Sequence, residues 1–78
     1  MTLEIISAEK ILFQGEVVSV TLPGEVGQFT VLNNHASLIS VLVGGKVFYR
    51  DAVGKEADVE IKGGLADIDN NVVSVCVY

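Results

Sequence analysis

The sequence lacks a second cysteine, since Cys76 is the only one among its 78 residues. A disulfide framework within the chain is therefore excluded, and a reducing compartment is the expected environment. The N-terminal stretch MTLEIISAEK has neither the basic start nor the long apolar run of a signal peptide. No apolar stretch reaches the ~18 residues that a membrane-spanning helix needs. These absences predict a soluble, cytosolic protein that can still contact a membrane protein.

Basic residues are also scarce. The chain has five of them against ten acidic residues, so its formal net charge is −5 and its pI is near 4.5. Such a balance argues against nucleic acid or an anionic membrane surface as the main partner. The five are scattered and form no stripe: Lys10, Lys46, Arg50, Lys55 and Lys62.

The length predicts one domain over residues 1–78. Half of the residues are hydrophobic and 19% are charged, which is not the composition of a disordered tail. A domain of this size buries only about 60% of the surface that its unfolded chain exposes. We therefore expect a modest stability, to which partners add.

Short apolar runs rich in β-branched residues alternate with turn signals such as PGEVG, LNNHAS and DNN. No window has a sustained 3.6-residue period, and at most NHAS (34–37) could form one helical turn. This spacing predicts an all-β sandwich or barrel. The segments EVVSVTL, DVEIK and VVSVCVY alternate as half-buried antiparallel strands do, and Pro23 with Gly24 fits a β-turn. The inward sets are Val18, Val20 and Leu22; Val59 and Ile61; Val73, Val75 and Val77.

Two segments do not alternate. LISVLV (38–43) and VFY (47–49) are apolar on both faces, whereas a two-sheet sandwich has only one interior. Their outer faces are expected to form an exposed apolar patch, which in a soluble protein usually marks an interaction site. The alternative is that loops cover this surface.

Residues that could carry chemistry are few. The single His35 has Ser37 and Ser40 nearby, but neither serine lies in a nucleophile elbow, and one histidine with one cysteine cannot close a zinc site. The glycine doublets at 44–45 and 63–64 lack the helix and Lys-Ser/Thr that phosphate binding needs. Cys76 is expected to be a small packed side chain. Two acidic pairs are expected on solvated strand faces: Asp58 with Glu60, and Asp67 with Asp69. We predict no catalytic residue, no metal site and no cofactor.

His35 leaves two interpretations open. Its ring could hydrogen-bond the backbone of a turn, or it could belong to an interface, because it precedes the strand that is too apolar on its outer side.

Taken together, the segments LEIISAEKILFQGEVVSVTLPGEVGQFTVLNNHASLISVLVGG and IKGGLADIDNNVVSV resemble the N-terminal β-sandwich of the epsilon subunit of F-type ATP synthase. The resemblance runs from about Leu3 to Val77. It rests on the order of an initial strand with Ser7-Ala8-Glu9, a Pro-Gly turn, the strand Gly27 to Val31 and the turn His35 to Leu38. A Gly-Gly strand and a final Val-x-Val strand complete it.

The resemblance implies a flattened antiparallel β-sandwich of about ten short strands. It also implies a non-catalytic subunit of the rotor, which binds gamma and the c ring and couples proton or sodium-ion transport to ATP synthesis. Contact with the membrane would be indirect, through the c ring, at the cytoplasmic face of the bacterial inner membrane. The gamma-facing residues would be Ser7, His35, Leu38, Ser40 and Leu42. The c-ring-facing loop residues would be Glu25, Val26, Gly27, Gln28, Asn33 and Asn34.

The sequence departs from the family pattern at several positions. Asn33, Asn34 and Ser37 stand where the family often has glycine or proline, and Gln28 stands where an acidic residue is common. The family usually continues into a helical hairpin, which in some bacterial members binds ATP, whereas this sequence ends at Tyr78 after its last strand. We therefore expect no nucleotide binding and no inhibition of hydrolysis through a hairpin.

Two other functions remain as alternatives. One is a free-standing small-ligand or protein-binding sandwich with PGEVGQF (23–29) as its binding loop, and the other is a fragment of an enzyme whose catalytic residues lie elsewhere. A concave pocket with convergent polar groups would favour the small-ligand module, and co-purification with gamma would favour the rotor subunit.

Overall fold

The computed structural model describes all 78 residues and contains nine β-strands and no helix, which confirms the all-β prediction. The expected number of about ten strands was one too high. The strands are β1 (Thr2–Ile6), β2 (Ile11–Glu16), β3 (Ser19–Gly24), β4 (Gly27–Leu32), β5 (Leu38–Leu42), β6 (Gly45–Arg50), β7 (Glu56–Ile61), β8 (Gly64–Asp69) and β9 (Val72–Val77).

The strands form one continuous sheet that folds over on itself into two layers. Sheet I has the order β2-β1-β9-β8-β5, and sheet II has the order β4-β3-β6-β7. The two are joined at one corner, where Gly24 of β3 pairs with Leu42 of β5. All pairs are antiparallel except β1 with β9, which run parallel and place the first and last strands side by side. The antiparallel prediction therefore holds for every pair but this one.

The core lies between the two sheets and is built by the strand alternation that the sequence predicts. Val20 and Leu22 from sheet II and Val73 and Val75 from sheet I are fully buried, because alternate side chains of a strand point to the same face. Val59 and Ile61 also face inward, as predicted. Val18, by contrast, is only half-buried, whereas its neighbour Val17 is buried just before β3 begins.

The turn predicted at Pro23-Gly24 lies two residues further on. Both residues belong to the end of β3, and the chain reverses at Glu25 and Val26. Pro23 is tolerated inside β3 because it stands where this strand leaves β6 and joins β5. Its carbonyl accepts a hydrogen bond from the Val43 N–H at 2.9 Å, which stabilises the corner between the sheets.

Candidate functional site

Alternate residues of β5 lie on its two faces, and on the inner face exposure falls from 38% at Leu38 to 3% at Leu42. Leu38, Ser40 and Leu42 are the positions paired with Ile68, Ala66 and Gly64 of β8, so they lie on the inner face. Leu42 is only 3% exposed and belongs to the core. The prediction that Leu42 lies on a gamma-facing surface is therefore wrong, because the register of β5 places its odd-numbered residues outside.

The outer face of β5 carries Ile39, Val41 and, directly after the strand, Val43, and all three are exposed. The exposed apolar surface predicted for LISVLV is confirmed. The other predicted part is not adjacent: Val47 is buried, and Phe48 is exposed on the opposite side of the molecule, on sheet II. The two segments therefore do not form one patch.

An apolar row crosses the whole outer face of sheet I. Val41 of β5 is opposite Leu65 of β8, Leu65 is opposite Cys76 of β9, and Cys76 is opposite Ile6 of β1. Ile6 in turn is opposite Ile11 of β2. Adjacent strands are about 4.8 Å apart, so this apolar row is roughly 19 Å long. It consists of Val41, Leu65, Cys76, Ile6 and Ile11.

Sequence reasoning did not find most of this row. Cys76 was expected to be a small packed side chain, but it is exposed on the outer face. The available signal was the phase of alternation: Ile6, Leu65 and Cys76 are apolar residues at the outward positions of strands whose other outward residues are mostly polar. The strand order is needed to see that these residues form one continuous surface.

One side of the apolar row is bordered by carboxylates. The next outward residues along β8 and β1 are Asp67 and Glu4, which flank Ser74 of β9. Asp69 and Glu16 follow two residues further along β8 and β2. We call these four residues the acidic border. None of the five basic residues lies on a strand of sheet I.

The outer face of sheet II is polar by comparison. Thr21 and Thr30 share a hydrogen bond at 2.9 Å across β3 and β4, and Arg50 forms an ion pair with Glu56 at 2.9 Å across β6 and β7. Phe48 is 45% exposed and lies opposite Thr21, with Asp58 on its other side. Leu32, at the end of β4, is also exposed, but it lies opposite Ser19 and not beside Phe48, so the continuous apolar row is a property of sheet I.

The β3–β4 hairpin tip carries the first part of the predicted c-ring-facing loop, namely Glu25, Val26, Gly27 and Gln28. All four residues are exposed, and Val26 at the turn is fully so. The tip lies against the edge of β5, because the Glu25 N–H donates to the carbonyl of Val41 at 2.9 Å. The tip therefore adjoins the β5 end of the apolar row.

The β4–β5 connection carries the second part, Asn33 and Asn34, and is anchored to sheet I. The Asn33 side chain accepts a hydrogen bond from the Met1 amino group, and the Asn34 N–H donates to the Asn71 side chain, both at 2.8 Å. Ser37 donates to Asp69 at 2.6 Å. This connection lies at the other end of β4 from the hairpin tip, about 17 Å from Gln28. The structure thus divides the predicted c-ring set between two ends of a strand.

His35 is exposed within this connection. Its ring Nδ1 donates to the neighbouring carbonyl of Ala36 at 2.7 Å, and its backbone N–H donates to Leu32 at 3.2 Å. The local interpretation, in which the ring bonds nearby backbone, is confirmed. An interface role for the same side chain stays a prediction.

The predicted gamma-facing polar residues do not meet in one place. Ser7 follows β1, at the end of sheet I where β5 finishes, whereas His35 precedes β5 at the opposite end. Ser7 bonds only its own turn, since its hydroxyl accepts from Glu9 and Lys10 N–H groups at 3.3 Å. Ser40 lies between them on the inner face of β5, and its hydroxyl donates to the carbonyl of Val41 at 3.3 Å.

No polar or charged side chain is buried, and no three His, Cys, Asp or Glu side chains are close enough to hold a metal ion. The chain has no helix with the length and hydropathy needed to cross a bilayer. The apolar row with its acidic border is the surface feature that the strand pairing of sheet I builds.

The fold and this surface define an all-β sandwich domain with an exposed apolar face. The chain belongs to the ATP synthase delta/epsilon chain β-sandwich domain family, whose model matches residues 1–78. It is 40% identical to the ATP synthase epsilon chain of a Nitratiruptor species over 77 residues, which cover 99% of this chain and 60% of that protein. It is 39% identical to the epsilon chain of Xanthomonas euvesicatoria pv. vesicatoria over 74 residues, covering 95% of this chain and 53% of that protein. The chain thus spans between about half and three fifths of the length of these relatives.

Solved structures share the fold. One chain from the Euglena gracilis mitochondrial ATP synthase (OSCP/F1/c-ring) has a TM-score of 0.90 and 23% identity, over 96% of this chain and 48% of that chain. A chain from the central stalk/c-ring structure of the Tetrahymena thermophila mitochondrial ATP synthase has a TM-score of 0.81 and 15% identity, over 97% of this chain and 61% of that chain. The folded-over sheet of this chain therefore also occurs in chains of these two assemblies.

Proposed function

We propose that the chain is a non-catalytic subunit of the central stalk of an F-type ATP synthase. It binds the gamma subunit and the c ring, turns with them, and couples transport of protons or sodium ions to ATP synthesis. Its place is peripheral, at the cytoplasmic face of the bacterial inner membrane, with the c ring between it and the lipid. The family membership and the identity to two epsilon chains support this proposal.

The observation that carries the proposal is the apolar row on sheet I. A soluble monomer rarely leaves a contiguous apolar surface exposed unless a partner covers it. Val41 and Leu65 are 48% and 45% exposed, and they lie side by side near the end of the β5–β8 pair, next to the corner of the two sheets. We assign this row, with Ile39 and Val43, to the gamma subunit.

The hairpin tip at Glu25 to Gln28 is the surface that we assign to the c ring. It is exposed, it projects from the corner where the two sheets join, and it carries Val26 at its turn. The hydrogen bond from Glu25 to Val41 connects the tip to β5, whose outer face belongs to the proposed gamma surface. One rigid corner of the domain can therefore contact both partners.

For coupling, this corner only has to keep its structure when the rotor turns. The hairpin and β5 are connected by the paired residues Gly24 and Leu42 and by hydrogen bonds on both sides of that pair, each 2.9 Å long. A movement of the tip relative to β5 would break these backbone bonds. The domain accordingly acts as a rigid bridge and needs no chemical group.

The test uses a matched pair of variants in a pull-down with the gamma subunit. Leu65→Ser removes an apolar side chain from the row, and Phe48→Ser removes one of equal exposure (45%) from sheet II. We expect Leu65→Ser to weaken binding to gamma by about tenfold, as loss of a buried apolar contact does, and Phe48→Ser to have little effect. Equal binding by both variants would contradict the assignment, and failure of the unchanged chain to bind gamma would contradict the proposed function.

A further inference from the structure

We infer that the partner surface covering the apolar row carries lysine or arginine side chains along one flank, which pair with the acidic border through Glu4 and Asp67. The inference rests on the proposed function, because it takes the gamma subunit as the partner. It adds the chemistry of the contact and its direction.

The charge distribution of the two sheets is the first observation. Sheet I carries the four carboxylates of the acidic border and no lysine or arginine on any of its five strands. Sheet II carries both signs, with Lys46 and Arg50 on β6 opposite Glu60 and Glu56 on β7. The face with the apolar row is therefore also the face whose charges have one sign.

The second observation is that the two inner carboxylates lack a cation. Glu4 accepts only a 3.4 Å hydrogen bond from the Gln14 amide, and Asp67 has neither a hydrogen bond nor an ion pair within the chain. The single ion pair of the border joins Glu16 to the Met1 amino group at 3.8 Å. An uncharged partner surface over Glu4 and Asp67 would remove the water that hydrates these carboxylates and would supply no cation in its place. The loss of hydration of an unpaired carboxylate is unfavourable.

Geometry places both carboxylates within reach of whatever covers the row. Asp67 is two residues from Leu65 along β8, and Glu4 is two residues from Ile6 along β1, so each lies about 7 Å from a residue of the apolar row. They flank Ser74 and are therefore about 10 Å apart across the strands. Two basic side chains next to an apolar partner surface can contact both.

The border also gives the contact a direction. The four carboxylates of the acidic border line the side of the row toward the middle of β8 and β1. The other side ends at the Ser7–Lys10 turn, where Glu9 stands next to Lys10, and at Lys62. A partner with a basic flank can dock in one orientation and is repelled in the orientation rotated by half a turn, since misplaced charges at an interface penalise wrong registers. An apolar row without charged neighbours would not distinguish these two orientations of the partner.

The experiment measures association and dissociation rates with the isolated gamma subunit at several salt concentrations. The variant Glu4→Gln with Asp67→Asn neutralises the inner border. The control, Asp58→Asn with Glu60→Gln, removes the same two negative charges from β7 of sheet II. Both changes reduce the ten carboxylates of the chain to eight, so the formal net charge goes from −5 to −3 in each.

We expect the sheet I variant to associate about fivefold more slowly at low ionic strength and to lose much of the salt dependence of the association rate. Its dissociation rate should change less, because charges at the rim of an interface act mainly on encounter. The control should keep both rates. If association slows equally in both variants, the net charge of the chain alone determines the association rate. If both rates are unchanged in the sheet I variant, no basic flank of the partner faces Glu4 and Asp67. Either result overturns the inference.

Two further outcomes separate this inference from the proposed function. If the chain binds gamma and Leu65→Ser weakens this binding, but neutralising Glu4 and Asp67 has no effect, the proposed function stands and only the inference of a basic flank is wrong. Sedimentation of the chain alone tests the other possible occupant: a dimer that Leu65→Ser dissociates would show that a second copy covers the row, and this would also overturn the inference.

Discussion

Val41 and Leu42 are neighbours in the sequence and lie on opposite sides of β5. Val41 is 48% exposed beside Leu65, whereas Leu42 is 3% exposed and is paired with Gly24 at the corner of the two sheets. One residue of strand register therefore separates an exposed position from a core position.

This relationship predicts opposite results for the same substitution at the two positions. Val41→Asp should leave the domain folded and weaken binding to gamma at least tenfold, because a carboxylate then faces the apolar surface of the partner. Leu42→Asp should unfold the domain, since an unpaired buried carboxylate costs several kcal/mol, which is comparable with the whole stability of a small domain. Circular dichroism during thermal unfolding and a gamma pull-down distinguish these outcomes. A folded Leu42→Asp variant, or an unfolded Val41→Asp variant, would show that the register of β5 is different.

The hairpin tip should affect the c ring separately from gamma. Val26 is fully exposed at the turn and is not part of the core, so Val26→Ser should leave the stability within about 0.5 kcal/mol of the original value. We expect it to weaken binding to detergent-solubilised c ring and to leave affinity for gamma unchanged. The measurement is a pair of pull-downs, one with each partner. A loss of gamma binding with normal c-ring binding would reverse our assignment of the two surfaces.

His35 should behave as a contact residue and not as a base. Its ring bonds only the carbonyl of Ala36, so His35→Ala should change the free energy of unfolding by less than about 0.5 kcal/mol. We expect a modest loss of affinity for gamma, about two- to fivefold, and no loss of a chemical step. Calorimetry with gamma and a hydrolysis assay of the assembled complex provide the test. Abolished hydrolysis in a complex that still assembles would contradict it.

Gly64 should not tolerate replacement by alanine. A Cβ on this residue would lie 2.2 Å from the backbone oxygen of Cys76, which is on the neighbouring strand and cannot move without breaking the β8–β9 pair. A Cβ on Gly44, by comparison, would meet its nearest atom at an ordinary 3.5 Å. Gly64→Ala should therefore destabilise the domain by about 1–3 kcal/mol or more, as overpacking does, and Gly44→Ala should cost less than about 1 kcal/mol. Urea unfolding of the two variants measures the difference, and equal midpoints would contradict the close approach.

The fold class could be predicted from the sequence because period-two alternation is a local property. Val73, Val75 and Val77 alternate with polar residues whatever their neighbours in space, and the structure buries all three. The turns at LNNHAS and DNN were visible for the same reason: in the structure Asn34, Asn70 and Asn71 have φ angles of 64°, 51° and 62°, a left-handed conformation that asparagine tolerates better than most residues.

The candidate site could be predicted only in part. The excess of apolar residues in LISVLV correctly indicated an exposed apolar surface, but the sequence does not tell which alternate set of such a strand is outside. Leu42 was assigned to the wrong side for that reason. Ser7 and His35 were grouped together as polar residues of one family pattern, although the strand order places them at opposite ends of sheet I.

By itself the sequence determined that this chain is a small acidic β-domain with more apolar surface than its core can hold. Only the tertiary structure decided where that surface lies. Ile6, Leu65 and Cys76 are separated by up to 70 residues along the chain, and they become one row because the parallel pairing of β1 with β9 places the two ends of the chain side by side. Strand pairing depends on contacts between segments that are far apart in the sequence, because the inward faces of all strands are buried together. It therefore cannot be determined from any single segment.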